Sequence, residues 1–313
     1  MSKRLMLILI LILGSVVFIL HASEILNVNN KNYKNDNAEK KCVSPNGEVE
    51  NFNSLDQYNI GSYYYLGVNG CSQNYNKAYE YFIKSANQNN ANAQLMISTF
   101  YFEGIVVNID KDKAIEWLVK SANQNNALAE YNLGMLYLEG DGIKKDSKEA
   151  YKWLSKAANK NDERAQFNLS LMYRNGDGVQ VDQNKSIEWL RKAAENGHIK
   201  AMNDLATLYL NGQGLNRNIN NAKYWYLKSA KLGSSESAFS LGMIFISEGK
   251  YEDALPSLIY ASDLGNENAM YNLGLMYENG VGVKADNKIS FSWYQKAVKN
   301  GSNEAVQKLK QFQ

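Results

Sequence analysis

Chemistry needs convergent side chains, and this chain offers few of the usual types. It holds two histidines, His21 and His198, and two cysteines, Cys42 and Cys71. A Ser-His-Asp or Cys-His relay would have to use His198. That residue follows Gly197 in a polar turn, where solvent exposure is the expected state. Two histidines cannot build a His-rich metal site, and two cysteines are too few for structural zinc. Acid pairs such as Asp110 with Asp112, or Glu80 with its neighbours, are scattered over expected helix starts and do not converge as paired-carboxylate chemistry requires. Gly140-Asp141-Gly142, Gly176-Asp177-Gly178, Gly212-Gln213-Gly214 and Gly280-Val281-Gly282 look like phosphate-cradling loops. No strand precedes them, however, and the third glycine and following acid are missing. No catalytic or metal-binding residue is predicted, and no cofactor is expected.

Those glycines mark the turns of a repeat. Residues 127–162, ALAEYNLGMLYLEGDGIKKDSKEAYKWLSKAANKND, read as helix, glycine turn, helix, polar turn, and the same text returns before and after them. Trp117, Trp153, Trp189 and Trp225 recur every 36 residues, with Tyr81 one period earlier. Lys84, Lys120, Lys156, Lys192 and Lys228 keep the same step, as do Ile97, Leu133, Leu169, Leu205 and Leu241. In the first helix of the unit, helix A, Ala129, Leu133 and Tyr137 share one face. In helix B, Ala150, Trp153, Leu154, Ala157 and Ala158 make a second apolar stripe. The aromatic columns therefore read as core. Asp110, Asp146, Asp182, Asn218 and Asp286 stand where helix B should be N-capped. Asn89, Asn125, Asn161, Gly197, Gly233, Gly265 and Gly301 suit left-handed helix ends. Two prolines in 313 residues agree with uninterrupted helices.

The consensus A-x-x-x-L-G-x-x-Y-x-x-G-x-G-V/I-x-x-D-x-x-x-A-x-x-W-x-x-K-A-A-x-x-G/N resembles the Sel-one-like repeat, a relative of the tetratricopeptide repeat. The resemblance implies an all-α, right-handed α/α superhelical solenoid of about seven helix-turn-helix units. Two units depart from it. The first has Asn59 and Gly61 where Ala and Leu are usual, which predicts an imperfect helix A. The sixth lacks the G-x-G loop, and Ser257 or Leu258 replaces its tryptophan. The resemblance further implies adaptor work, namely binding a protein or peptide on the concave face. Two alternatives stay open: a periplasmic immunity or inhibitor protein, and a β-lactamase-like or peptidoglycan-acting hydrolase. Relatives linked to β-lactamase activity carry a cysteine pair in nearly every unit. Here the repeats after Cys71 have none, and no S-x-x-K motif with its companions is present.

Stacked helical hairpins present helix A side chains on their inner side. Candidate partner-binding residues flank the core leucines: Tyr131 and Met135, Phe167 and Leu171, Asn203 and Thr207, Phe239 and Met243, and Tyr271. Phe102, Leu138 and Arg174 follow the tyrosine column. An apolar and aromatic face of this kind suits an extended peptide or a partner helix. The competing reading is that the aromatics two before the leucine pack between adjacent A helices.

Residues 1–23 open with Lys3 and Arg4 and continue into an apolar run over residues 5–20. They read as a signal peptide or an N-terminal membrane anchor, and the remainder as exported, in the periplasm or secreted. Removing them takes two positive charges and no acid from a chain of net charge +2, leaving it neutral. A neutral chain has no electrostatic footprint for nucleic acid. Contact with a membrane would come only through an uncleaved anchor. Residues 24–52 read as a flexible Asn/Lys-rich leader, 53–302 as the repeat array, and 303–313 as a capping helix. In an exported chain Cys42 and Cys71 are expected to pair, closing a loop worth roughly 3 kcal/mol.

Overall fold

The structure, a computed structural model, describes residues 52–311. The apolar run, most of the leader and Cys42 lie outside the described residues. Cys71 is buried, 5% exposed, and disulfide-bonded. The described residues form fifteen α-helices and no strand. Seven consecutive hairpins pair an A helix with a B helix: α1 (Ser54–Leu66) with α2 (Tyr75–Asn87), α3 (Ala91–Glu103) with α4 (Lys111–Asn123), α5 (Ala127–Glu139) with α6 (Ser147–Ala158), and α7 (Glu163–Asn175) with α8 (Gln183–Glu195). They continue with α9 (Ile199–Asn211) and α10 (Ile219–Lys231), α11 (Ser235–Ser247) and α12 (Tyr251–Asp263), and α13 (Glu267–Asn279) and α14 (Asn287–Lys299). The short helix α15 (Asn303–Lys310) closes the array. Each helix packs chiefly on its neighbours in sequence, which makes the molecule a solenoid.

Helices of 13 residues are marginal alone, so their ends and their packing must hold them. The ends are capped at almost every start. Asp110, Asp146, Asp182, Asn218 and Asp286 accept first-turn amides at the B helices, as expected. A second column caps the A helices: Asn90, Asn126, Asp162, His198, Ser234, Asn266 and Ser302. It lies one residue beyond the left-handed column, in which Asn89, Asn125 and Asn161 have φ near 65°. Each side-chain cap is worth about 1 kcal/mol. Among the described helices α12 alone lacks one; Lys250 starts it, and Pro256 stands inside it.

Within each hairpin the leucine column of helix A is buried against helix B. Ile97, Leu133, Leu169, Leu205 and Leu273 are fully inaccessible. The next residue must be small. A Cβ on Gly134 would meet Leu154 Cγ at 2.7 Å, and one on Gly274 would meet the Tyr294 ring at 2.5 Å. The first unit departs from expectation for the same reason. Its helix α1 is not imperfect: it runs 13 residues, capped by Asn53 and ended by Gly67 in the left-handed conformation. Ile60, 7% exposed, is its leucine-column residue and Gly61 its small one, which meets the Phe82 ring just as Gly274 meets Tyr294. The unit is one residue longer than the regular period, so counting back by that period puts Gly61 in the leucine column. The sixth unit is also a regular hairpin, joined by the shorter connection Glu248-Gly249-Lys250.

Candidate interaction surface

The A helices present two side-chain rows beside their buried leucines. Both rows contain the residues predicted to bind a partner. The fifth residue of α5, α7 and α9 reaches the start of the next A helix along the array. Arg164 lies 4.3 Å from the Tyr131 ring centre and is held by Asp162 at 2.5 Å. Phe167 stacks on the His198 ring at 4.4 Å, and Lys200 Nζ lies 5.7 Å from the Phe167 ring centre. Asn203 accepts a hydrogen bond from Ser237 Oγ at 3.1 Å, again one unit further on. Phe239 packs on the core that contains Leu258 and Leu273, and Tyr271 stands 5.7 Å from Tyr294. This row links neighbours: Phe167 retains 7% exposure, while Tyr131, Asn203, Phe239 and Tyr271 stay half-buried.

The second row lies in the same exposure range as most of the first. Phe102, Met135, Leu138, Leu171 and Met243 are all half-buried, and Arg174 is exposed. Thr207 is half-buried too, but its hydroxyl pairs with Tyr226 OH at 2.9 Å. What sets the first row apart is its contacts with the next unit, at Tyr131, Phe167 and Asn203, rather than its exposure.

Sequence reasoning misplaced His198. It is a half-buried helix cap rather than a solvated turn residue. Its Nδ1 accepts the Ala201 amide at 3.1 Å, which requires that nitrogen unprotonated. Burial, reinforced by Lys200, lowers its pKa to about 4. Burial likewise raises the Tyr131 phenol, against the pull of Arg164. Asp204, near Lys200 and Arg174, is raised because desolvation outweighs those cations. The cap column beginning at Asn90 was the signal that could have placed His198 correctly.

A buried polar seam also went unpredicted. Glu130 is fully inaccessible, and both its oxygens accept from Lys160 Nζ at 2.7 Å. Lys160 also donates to Asn125 O at 2.8 Å, so the pair ties the ends of α4 and α6. Gln94 and Gln166, at the same helix position, each donate to the preceding B helix and accept from the following one. Met202, Ala238 and Met270 take that place in later units, and the seam stops. Among the described residues no cluster of three or more His, Cys, Asp or Glu could hold a metal. No described helix is long and apolar enough to cross a membrane.

Paired helices, small residues at the crossing and a tryptophan column beside alanines define an α-helical repeat solenoid. The Sel1 repeat pattern matches residues 54–90, 91–126, 127–162, 163–198, 199–234 and 268–302. The chain belongs to the Sel1 repeat family. The sixth hairpin, at α11 and α12, falls between the matched stretches. A Sel1 repeat protein from Oxalobacter formigenes is similar at 28% identity and a TM-score of 0.66, over 83% of this chain and 76% of that one. A protective antigen of uropathogenic Escherichia coli strains, displaying an SLR fold, is similar at 26% identity and a TM-score of 0.53, over 88% and 67%. No curated protein matches the chain.

Proposed function

We propose that this chain is an exported, non-catalytic scaffold that binds a protein or peptide segment along its A-helix surface. One observation carries the reading. In successive A helices the leucine column is sealed, yet Met135, Leu138, Leu171 and Met243 keep apolar edges open to solvent. A soluble array gains nothing from a repeated half-open apolar row unless something covers it. Exposed Arg174 supplies a charge-assisted contact within an otherwise apolar row. Export rests on the charged and apolar character of residues 1–20.

Affinity capture from an envelope fraction tests this. The wild-type array should retain a discrete partner, and Leu138→Glu with Leu171→Glu should release it while preserving helicity by circular dichroism. A partner held equally by the folded double variant would overturn the assignment. Incubation with nitrocefin and muropeptides checks the non-catalytic half, since turnover of either at enzymatic rates would contradict it.

A further inference from the structure

The seventh residue of every B helix faces the gap toward the preceding unit. It is Tyr81, Trp117, Trp153, Trp189, Trp225 and Trp293 in six hairpins, and Ser257 in α12. Equal helix frames settle the alternative between Ser257 and Leu258. Trp225 is seventh in α10 and Ser257 seventh in α12, while Leu258 matches buried Tyr226. The intact units show what the gap holds. Trp153 shares a core with Val119, Ala122 and Leu133, and Trp225 shares one with Ala194, Met202 and Leu205. Both indoles are 7% exposed.

At the sixth unit the corresponding space is an open groove of about 330 Å³. Ala230, Ala238 and Leu241 correspond to the residues that back an indole elsewhere, and Leu227, Pro256 and Tyr260 form its sides. Leu227 and Tyr260 remain 45% and 42% exposed, unusual for apolar groups flanking a concavity. A volume near the low end of ligand pockets fits one large side chain rather than an extended molecule. Ser257 does not fill the space; its hydroxyl turns back to Asp253 O at 3.4 Å.

We propose that this groove is a docking site for a tryptophan side chain presented by a partner protein, which completes in trans the column that the sixth unit breaks. The occupant is chosen by the fold itself, because the equivalent gaps of neighbouring units are closed by indole. Lys231, on α10 at the rim, places a cation beside the groove. In the intact units the cation over the indole is the lysine three residues on in the same helix, Lys156 or Lys192 at 4.1 and 4.2 Å, whose place Tyr260 takes here. The groove opens between the B helices α10 and α12 over the buried side of α11, and it includes none of the A-helix row, so it stands whether or not that row binds anything.

The test uses the full chain and N-acetyl-5-fluorotryptophanamide, followed by fluorine NMR. A fragment of this size is expected to bind with a dissociation constant on the order of 1 mM. Ser257→Trp, which supplies the missing indole in cis, should weaken the probe at least tenfold and leave the melting temperature at or above that of the wild type. Leu227→Asp, at an exposed position, should also weaken it severalfold, and decides the matter should Ser257→Trp not fold. Probe binding unchanged in both variants overturns the site. A fluorinated leucine amide bound as tightly as the indole overturns the assigned occupant. A concentration-dependent dimer abolished by Ser257→Trp would give the groove to a second copy and also overturn it.

Discussion

Removing Lys160 should damage the array more than removing the acid it serves. Glu130 has no accessible surface, whereas Lys160 is 35% exposed and can return to water. Lys160→Ala therefore leaves a carboxylate buried without its partner, at a cost of about 3–5 kcal/mol. Glu130→Met imports the residue found at the same position in Met202 and Met270, where neighbouring helices already accommodate it. Its cost should stay below about 1.5 kcal/mol. The double variant, lacking both charges, should recover most of the stability lost in Lys160→Ala. Urea unfolding followed by circular dichroism, run as a double-mutant cycle, measures all three. Lys160→Ala proving no worse than Glu130→Met, or a double variant as weak as Lys160→Ala, would refute the view that an unpaired buried charge is the dominant cost.

Two further outcomes follow from the same surface. His198 binds its proton more weakly folded, near pKa 4, than unfolded at 6.5, so its contribution is whole above pH 6.5 and lost as pH falls through about 4. Discounted for its partly solvated edge, this is on the order of 2 kcal/mol. His198→Asn, which keeps a capping side chain, should flatten the melting temperature between pH 6.5 and 4, and an unchanged slope would count against the assignment. Phe167→Ala removes a 7% exposed ring and the stack on His198, and should cost about 3 kcal/mol. Leu138→Ala, at a half-buried position, should cost less than half as much; equal losses in thermal melts would remove the distinction between joining and open side chains.

The first unit shows how far local reading carried and where it stopped. Counted by the period, Gly61 falls where Leu is usual, so helix A looks damaged, yet in the helix frame Asn59 and Gly61 match Asn132 and Gly134, and Phe82 packs on Gly61 as Leu154 packs on Gly134. One extra residue in the connection between α1 and α2 shifts helix A out of the count, which only the helix ends reveal. His198 failed differently. The turn column was recognised at Gly197, while the cap column one residue later mixes Asn, Asp, His and Ser and is harder to see as one function.

What the sequence determined alone is whatever repeats locally. The period, the helix ends and the sealed leucine column all follow from side chains acting on their own turn or hairpin. The tertiary structure decided what depends on the neighbouring unit. It covered Phe167 with a residue thirty-one positions away, and it tied Lys160, the partner of buried Glu130, to Asn125 O at the end of the preceding hairpin. It also left the gap at Ser257 open. The physical reason is common to all three. Burial at a solenoid joint is a property of two adjacent hairpins, and a position that looks exposed within one becomes sealed, paired or vacant only when the next is stacked on it.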